Sequence, residues 1–148
     1  MLDDQNFINI AKEIASASKC VSKQVGAVIV KNGRILSTGY NGTPSGYTNC
    51  TDHWNGEYTK GHHEWSKTYE IHAEMNAIIW AAREGISIKG GTIYVTLEPC
   101  SDCSKNIIAS GIKKIVYEKS YEHTNSNIIA KFITDNNVSI KQLENTNK

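Results

Sequence analysis

The spacing of apolar positions changes period several times along this chain, and each change marks an element. Phe7, Ile10, Ala11 and Ile14 recur at helical spacing behind Asp3 and Asp4, either of which can cap, so a first helix is expected to run to about Ser18. Two short apolar runs, 25–30 and 35–40, flank Lys31-Asn-Gly-Arg34. An Asn-Gly pair supplies the positive φ values of a tight hairpin, which predicts two antiparallel strands. From 41 to about 68 polar, glycine and aromatic residues follow one another without a period, as in a long functional or disordered loop. Residues 71–84 return to helical spacing, with Ala73, Ala77, Ile78, Ala81 and Ala82 on or near one face and Gly85 as the stop. A buried strand over 91–97, a helix that Ser101 can cap running to about Ala109, a strand over 114–117, a helix over 126–132 and a strand over 138–140 complete the series. The order α, β, β, α, β, α, β, α, β predicts an α/β fold with one five-stranded mixed sheet and helices on its faces.

Length and charge narrow the partners. At 148 residues with 39% hydrophobic content, the chain suits a single domain over 1–148. A formal net charge of +1 offers no basic face for a nucleic-acid backbone, so a small substrate is favoured over a polymer. The acidic start is unlike a signal peptide and no apolar run approaches the ~18 residues of a membrane span, so a cytoplasmic protein without membrane contact is expected. In that compartment the four cysteines point to metal binding or free thiols rather than disulfides.

The chemistry gathers at two helix starts. His72-Ala73-Glu74 opens the second helix, and Pro99-Cys100-Ser-Asp-Cys103 lies between the third strand and the third helix. One helical turn brings the sulfurs of Cys100 and Cys103 to one side, where the helix N-terminus favours thiolates. With His72 they make three zinc ligands, and the tetrahedron keeps a fourth position for water, as catalytic zinc requires. Glu74, two residues from His72, can move that water's proton as general acid/base without binding the metal. A His-x-Glu followed by Pro-Cys-x-x-Cys is the pattern of zinc-dependent base deaminases.

Three further segments refine the resemblance: Ser37-Thr-Gly-Tyr-Asn-Gly-Thr-Pro-Ser-Gly46, Ser66-Lys-Thr-Tyr-Glu-Ile-His-Ala-Glu74 and Tyr94-Val-Thr-Leu-Glu-Pro-Cys100. Over roughly residues 7–121 the chain resembles the deoxycytidylate deaminases, many of whose compact members are viral. The resemblance implies a three-layer α/β/α sandwich and conversion of dCMP to dUMP for thymidylate supply, in a host cytoplasm if the source is viral. It implies that Asn41 meets the deoxyribose, that the Ala73 amide meets the pyrimidine carbonyl, and that Tyr121 lines the pocket. It also implies activation by dCTP with Mg2+, inhibition by dTTP and a homo-hexamer. Lys23, Arg34, Gly39, Tyr40, Gly42 and Gly46 are the effector-site candidates that follow, and Lys31 and Arg83 are further cations able to meet a triphosphate.

A second metal set is suggested by Cys20 and Cys50 with His53, His62, His63 and Glu70 nearby in sequence. Spacing does not choose among the histidines. The family pattern selects Cys20, Cys50, His62 and Glu70, as a second, structural zinc. Trp54, Trp65 and Trp80 could stack a base, although large aromatics more often pack cores or interfaces, the role assigned to Trp80. The alternatives are an RNA adenosine or free nucleoside deaminase of the same fold, or a non-catalytic zinc or nucleotide-binding module, which would have no need of Glu74.

Overall fold

Asp3, rather than Asp4, caps the first helix. Its side chain accepts the Asn6 amide at 2.9 Å and the Asn6 side chain accepts the Asp3 amide in return at 2.9 Å. The computed structural model describes residues 1–54, 61–120 and 126–143, which places Tyr121 outside the described residues. Helix α1 (Asp4–Ala15) stops three residues before the apolar spacing suggests, because 16–18 continue as turns bonded to Glu13, Ile14 and Ala15 carbonyls. Strands β1 (Gly26–Lys31) and β2 (Arg34–Tyr40) form the expected hairpin, and Asn32 (φ 53°) and Gly33 (φ 74°) supply its left-handed turn.

The segment read as an unstructured loop holds two short helices, α2 (Cys50–Trp54) and α3 (His62–Tyr69). Their inward residues are Cys50 and His62 instead of an apolar stripe, so no hydrophobic period announces them. The remaining elements are α4 (Ala73–Arg83), β3 (Thr92–Leu97), α5 (Ser101–Ala109), β4 (Lys114–Lys119), α6 (Ser126–Asp135) and β5 (Ser139–Gln142). The sheet order is β2-β1-β3-β4-β5. β1 runs antiparallel to both its neighbours, while β3, β4 and β5 run parallel.

Alternation along the strands divides the core in two. Val28, Val30, Tyr94 and Val116 meet Phe7, Ile8 and Ala11 of α1 on one face. Ala27, Ile29, Ile93, Val95 and Ile115 meet Ala73, Ala77 and Ala81 of α4, Cys103 and Ile107 of α5, and Ile129 and Ile133 of α6 on the other. The result is the α/β/α sandwich with a five-stranded mixed sheet.

Asp4 ties the start of α1 to three strands, accepting the Tyr94 hydroxyl at 2.6 Å and pairing with Lys141 at 3.3 Å and Lys114 at 3.7 Å. The Tyr94 hydrogen bond, helped by both lysines and opposed by partial burial, holds its carboxyl below the ordinary 3.8. A lowered folded-state pKa gives stability that is present above the ordinary value and lost as pH falls through the folded one. The advantage of wild type over Asp4→Asn in denaturant unfolding is therefore expected to shrink below about pH 4. A difference that stays constant from pH 6 to pH 2.5 would refute this role.

Candidate active site

The N-termini of α4 and α5 lie together where the chain leaves the carboxyl ends of the parallel strands, the usual ligand crevice of such sheets. β3 ends at Leu97, and Glu98 still bonds Lys119 of β4 before Pro99 turns the chain into Cys100. His72 and Cys100 are both N-cap residues in extended conformation, and neither side chain makes the usual cap hydrogen bond to a helix amide. A cap side chain ordinarily accepts a helix amide. Here both side chains point at one another instead, with Cys103 one turn into α5. This corrects the expectation that Ser101 caps α5.

His72 Nδ1 lies 3.2 Å from Cys103 Sγ and 3.6 Å from Cys100 Sγ. Tetrahedral zinc bonds of roughly 2.3 Å to sulfur and 2.0–2.1 Å to nitrogen put such donors about 3.6 Å apart, so the three fit a zinc ion and supply three of four positions. Protonation supports the same fit. A hydrogen bond from the Cys103 thiol, with a further contribution from His72, draws the Cys100 thiol down to about 4 against burial. The Cys103 thiol, tied to that sulfur and buried, is pushed well up. One proton shared by two sulfurs is what a metal-free pair keeps, and a dication removes the need for it. The bond to Cys100 also raises His72.

Glu74 stands in the first turn of α4 and is 4% exposed. Burial raises its carboxyl above the ordinary 4.5, opposed by its own backbone amide and by His72. The helix that carries it is fixed to β2 at three points. Ser37 Oγ donates to the Ala77 carbonyl at 2.7 Å, and Asn76 Nδ2 donates to the Tyr40 carbonyl at 2.7 Å. At Gly39 an added Cβ would stand 2.4 Å from the Ala73 carbonyl oxygen and 2.6 Å from the Ala77 nitrogen. Gly39 thus admits the α4 backbone. Sequence reasoning passed over Ser37 and Asn76, whose small polar side chains leave no periodic signal.

The other candidates divide. Asn41, which precedes Gly42, has its amide directed by two backbone groups: Oδ1 accepts the Val25 amide at 2.8 Å, and Nδ2 donates to the Lys23 carbonyl at 2.8 Å. Gly42 pairs with Ile71, next to His72, through bonds of 3.1 and 2.8 Å. Tyr40 is exposed at the end of β2, and Gly46 takes a left-handed φ of 90° in the turn from Pro44 to Tyr47. Arg34 lies at the other end of β2, about 20 Å away at ~3.3 Å per residue, and Lys31 is beside it. Arg83 closes α4 at its far end and lies over the Trp80 ring at 5.3 Å. The structure therefore does not bring Arg34, Lys31 or Arg83 to the glycine segment. Trp80 is 48% exposed, and Trp65 is engaged by His53 at 4.8 Å and Tyr69 at 5.3 Å. Tyr47 stacks on Tyr69 at 5.4 Å, fastening the glycine segment to α3.

A second donor cluster lies behind the first. His62 Nε2 is 3.1 Å from Cys50 Sγ, 3.7 Å from Cys20 Sγ and 3.8 Å from Glu70 Oε1, and Cys20 Sγ is 3.6 Å from Glu70 Oε1. Burial pushes the Cys50 thiol up to about 12 even though its sulfur accepts the Val21 amide at 3.2 Å, and the second Glu70 oxygen is buried without a hydrogen-bond partner among the described residues. Four donors at near-tetrahedral separations, one with a spare buried oxygen, also fit a zinc ion. Among the described residues these two groups are the clusters of three or more metal-type donors.

Comparison with known proteins agrees with this geometry. Residues 1–119 match the family model described as the cytidine and deoxycytidylate deaminase zinc-binding region. The chain is 45% identical to the deoxycytidylate deaminase of Enterobacteria phage T4, over 78% of this chain and 77% of that protein. It is 40% identical to that of Mycobacterium phage D29, over 78% and 94%. The solved dCMP deaminase of cyanophage S-TIM5, in complex with dCMP and dUMP, superposes with a TM-score of 0.77 at 34% identity, covering 94% of this chain and 95% of that one. From its helix starts to its sheet order, this chain belongs to the zinc-binding cytidine and deoxycytidylate deaminase family.

Proposed function

We propose that the protein hydrolyses dCMP to dUMP and ammonia, with His72, Cys100 and Cys103 holding a catalytic zinc and Glu74 moving the proton. The observation that carries this reading is a buried carboxyl in the first turn of α4, beside a Cys-Cys-His set that leaves one tetrahedral position free. Zinc held there supplies a Lewis acid that brings the pKa of water to about 7. Glu74 takes a proton from the attacking water and gives it to N3, then carries the proton of the new C4 hydroxyl to the amino group as the C4–N bond breaks, leaving a carbonyl at C4, a hydrogen on N3 and ammonia. A carboxyl whose proton affinity burial has raised is suited to both halves of that transfer. The amide of Ala73, first residue of α4, is among those a helix leaves without an internal partner, and it meets the pyrimidine carbonyl. Asn41 keeps one N–H and one lone pair beyond its backbone bonds, enough for a sugar hydroxyl.

Incubation with dCMP is expected to release ammonia and shift the pyrimidine absorbance. Turnover of adenosine in RNA with none of dCMP would overturn the reading. Cys20, Cys50, His62 and Glu70 hold a second, structural zinc in this proposal, so purified protein should contain close to two zincs per chain, and a value near one would sink that site. Family resemblance further supports a cytoplasmic homo-hexamer serving thymidylate supply, activated by dCTP with Mg2+ and inhibited by dTTP. Lys23, Gly39, Tyr40, Gly42 and Gly46 are the effector candidates of this reading. The test is dCMP turnover with each nucleotide added, and indifference to both would remove the allosteric part.

A further inference from the structure

The two donor clusters are joined by very little chain. Glu70 of the inner cluster and His72 of the outer one are separated by a single residue, Ile71. That residue is clamped on both sides: its amide donates to the Gly42 carbonyl at 2.8 Å, and its carbonyl accepts the Gly42 amide at 3.1 Å. Glu70 is extended (φ −99°, ψ 139°) and so is His72 (φ −65°, ψ 152°), so the three residues form a taut strut with a metal-type donor at each end. Ser37 and Asn76 fix α4 to β2, so the strut ends at His72 on a helix whose position is already set.

A second connection runs by the other wall. Cys20 donates its amide to Ser18 Oγ at 3.3 Å, and the Ser18 hydroxyl donates to the Asn41 carbonyl at 2.8 Å, one residue from Gly42. Both paths thus start at inner-cluster donors and end on the Gly42–Ile71 bridge or on the loop that forms it.

We infer that a cation in the Cys20-Cys50-His62-Glu70 cluster positions His72 through the Glu70-Ile71-His72 strut, so that the two metal sites fill cooperatively. This rests on the reading of the inner cluster as a metal site. Glu70 and Cys20 are positioning residues in this scheme, acting through His72 and Asn41 and not on the substrate. Coupling between binding sites must be reciprocal and commonly amounts to 5–150-fold.

The test is metal affinity rather than turnover. Full-length protein is freed of metal, and zinc binding is measured by chelator competition in wild type, Cys20→Ala and Cys100→Ala, with circular dichroism to check folding. Wild type should bind two equivalents. Cys20→Ala should bind its remaining zinc, at His72-Cys100-Cys103, about tenfold more weakly than wild type does. Cys100→Ala, altered at an outer helix start, should weaken the inner site by the same factor, and it carries the test alone if Cys20→Ala does not fold. Single-equivalent binding by wild type would overturn the inner-site reading and the coupling with it. Two equivalents in wild type, with affinities at the surviving site within twofold of wild type in the variants, would overturn the coupling alone.

Discussion

Glu74→Gln protein is expected to keep its zinc content and to lose about three orders of magnitude in kcat for dCMP. Glutamine has nearly the same volume and fits the same buried space, but it can neither accept the proton of the attacking water nor return it. Loss of a positioned general acid/base costs roughly 10²–10⁴-fold. Stability should move the other way. Burial holds the Glu74 carboxyl above its ordinary 4.5, so ionisation opposes folding once pH rises past that value, and the neutral amide removes this penalty. Metal-free Glu74→Gln is therefore expected to be at least as stable as metal-free wild type at pH 7. Turnover within tenfold of wild type would remove Glu74 from the chemistry, and loss of zinc with the substitution would make it a structural residue.

Gly39→Ala should be the most damaging single methyl among the glycines that face α4. The new carbon would stand 2.4 Å from one backbone atom of α4 and 2.6 Å from another, and neither belongs to a side chain able to swing away. The helix start must lift from β2, which for overpacking costs about 1–3 kcal/mol. The catalytic loss should exceed what unfolding explains, because a shift of about 1 Å in a positioned group can cost 10²-fold. Gly90→Ala provides the contrast: its φ of 82° is strained for alanine but nothing lies within 4 Å, so about 1 kcal/mol is expected with no shift of α4. Fully folded Gly39→Ala with wild-type kcat would show that β2 does not set the position of α4.

Much of this was legible before any coordinates, and for identifiable reasons. Asn32-Gly33 demands a hairpin because few other pairs adopt two left-handed residues in a row. Ala73, Ala77 and Ala81, one turn apart, announce a helix that lies close on a sheet. The outer metal set is readable because His72 and Cys103 sit at fixed offsets from Glu74 and Cys100 on helix starts. The inner set is not readable from spacing, since Cys20, Cys50, His62 and Glu70 come from four separate places; only the family pattern chose His62 over His53 or His63, and folding brings the same four together. Helices α2 and α3 escaped because sulfur, imidazole and stacked rings hold them, and none of these leaves an apolar period. Gly39 entered only as an effector candidate, because a glycine in sequence does not say whether a ligand or another backbone approaches it. Arg34 shows the converse limit: a plausible phosphate-binding charge that the hairpin carries to the wrong end of the strand.

His72 and Cys100 occupy positions where a serine or aspartate would normally anchor the opening turn of a helix. In the zinc-bound reading proposed above, a bound ion would take over that anchoring. With zinc withheld, those two helix starts would lack the fastening that side-chain caps give elsewhere, and such ends are where proteases find purchase. Metal supply would then govern how long each newly made copy survives as well as whether it works, and cells short of zinc would hold fewer copies rather than a store of idle ones.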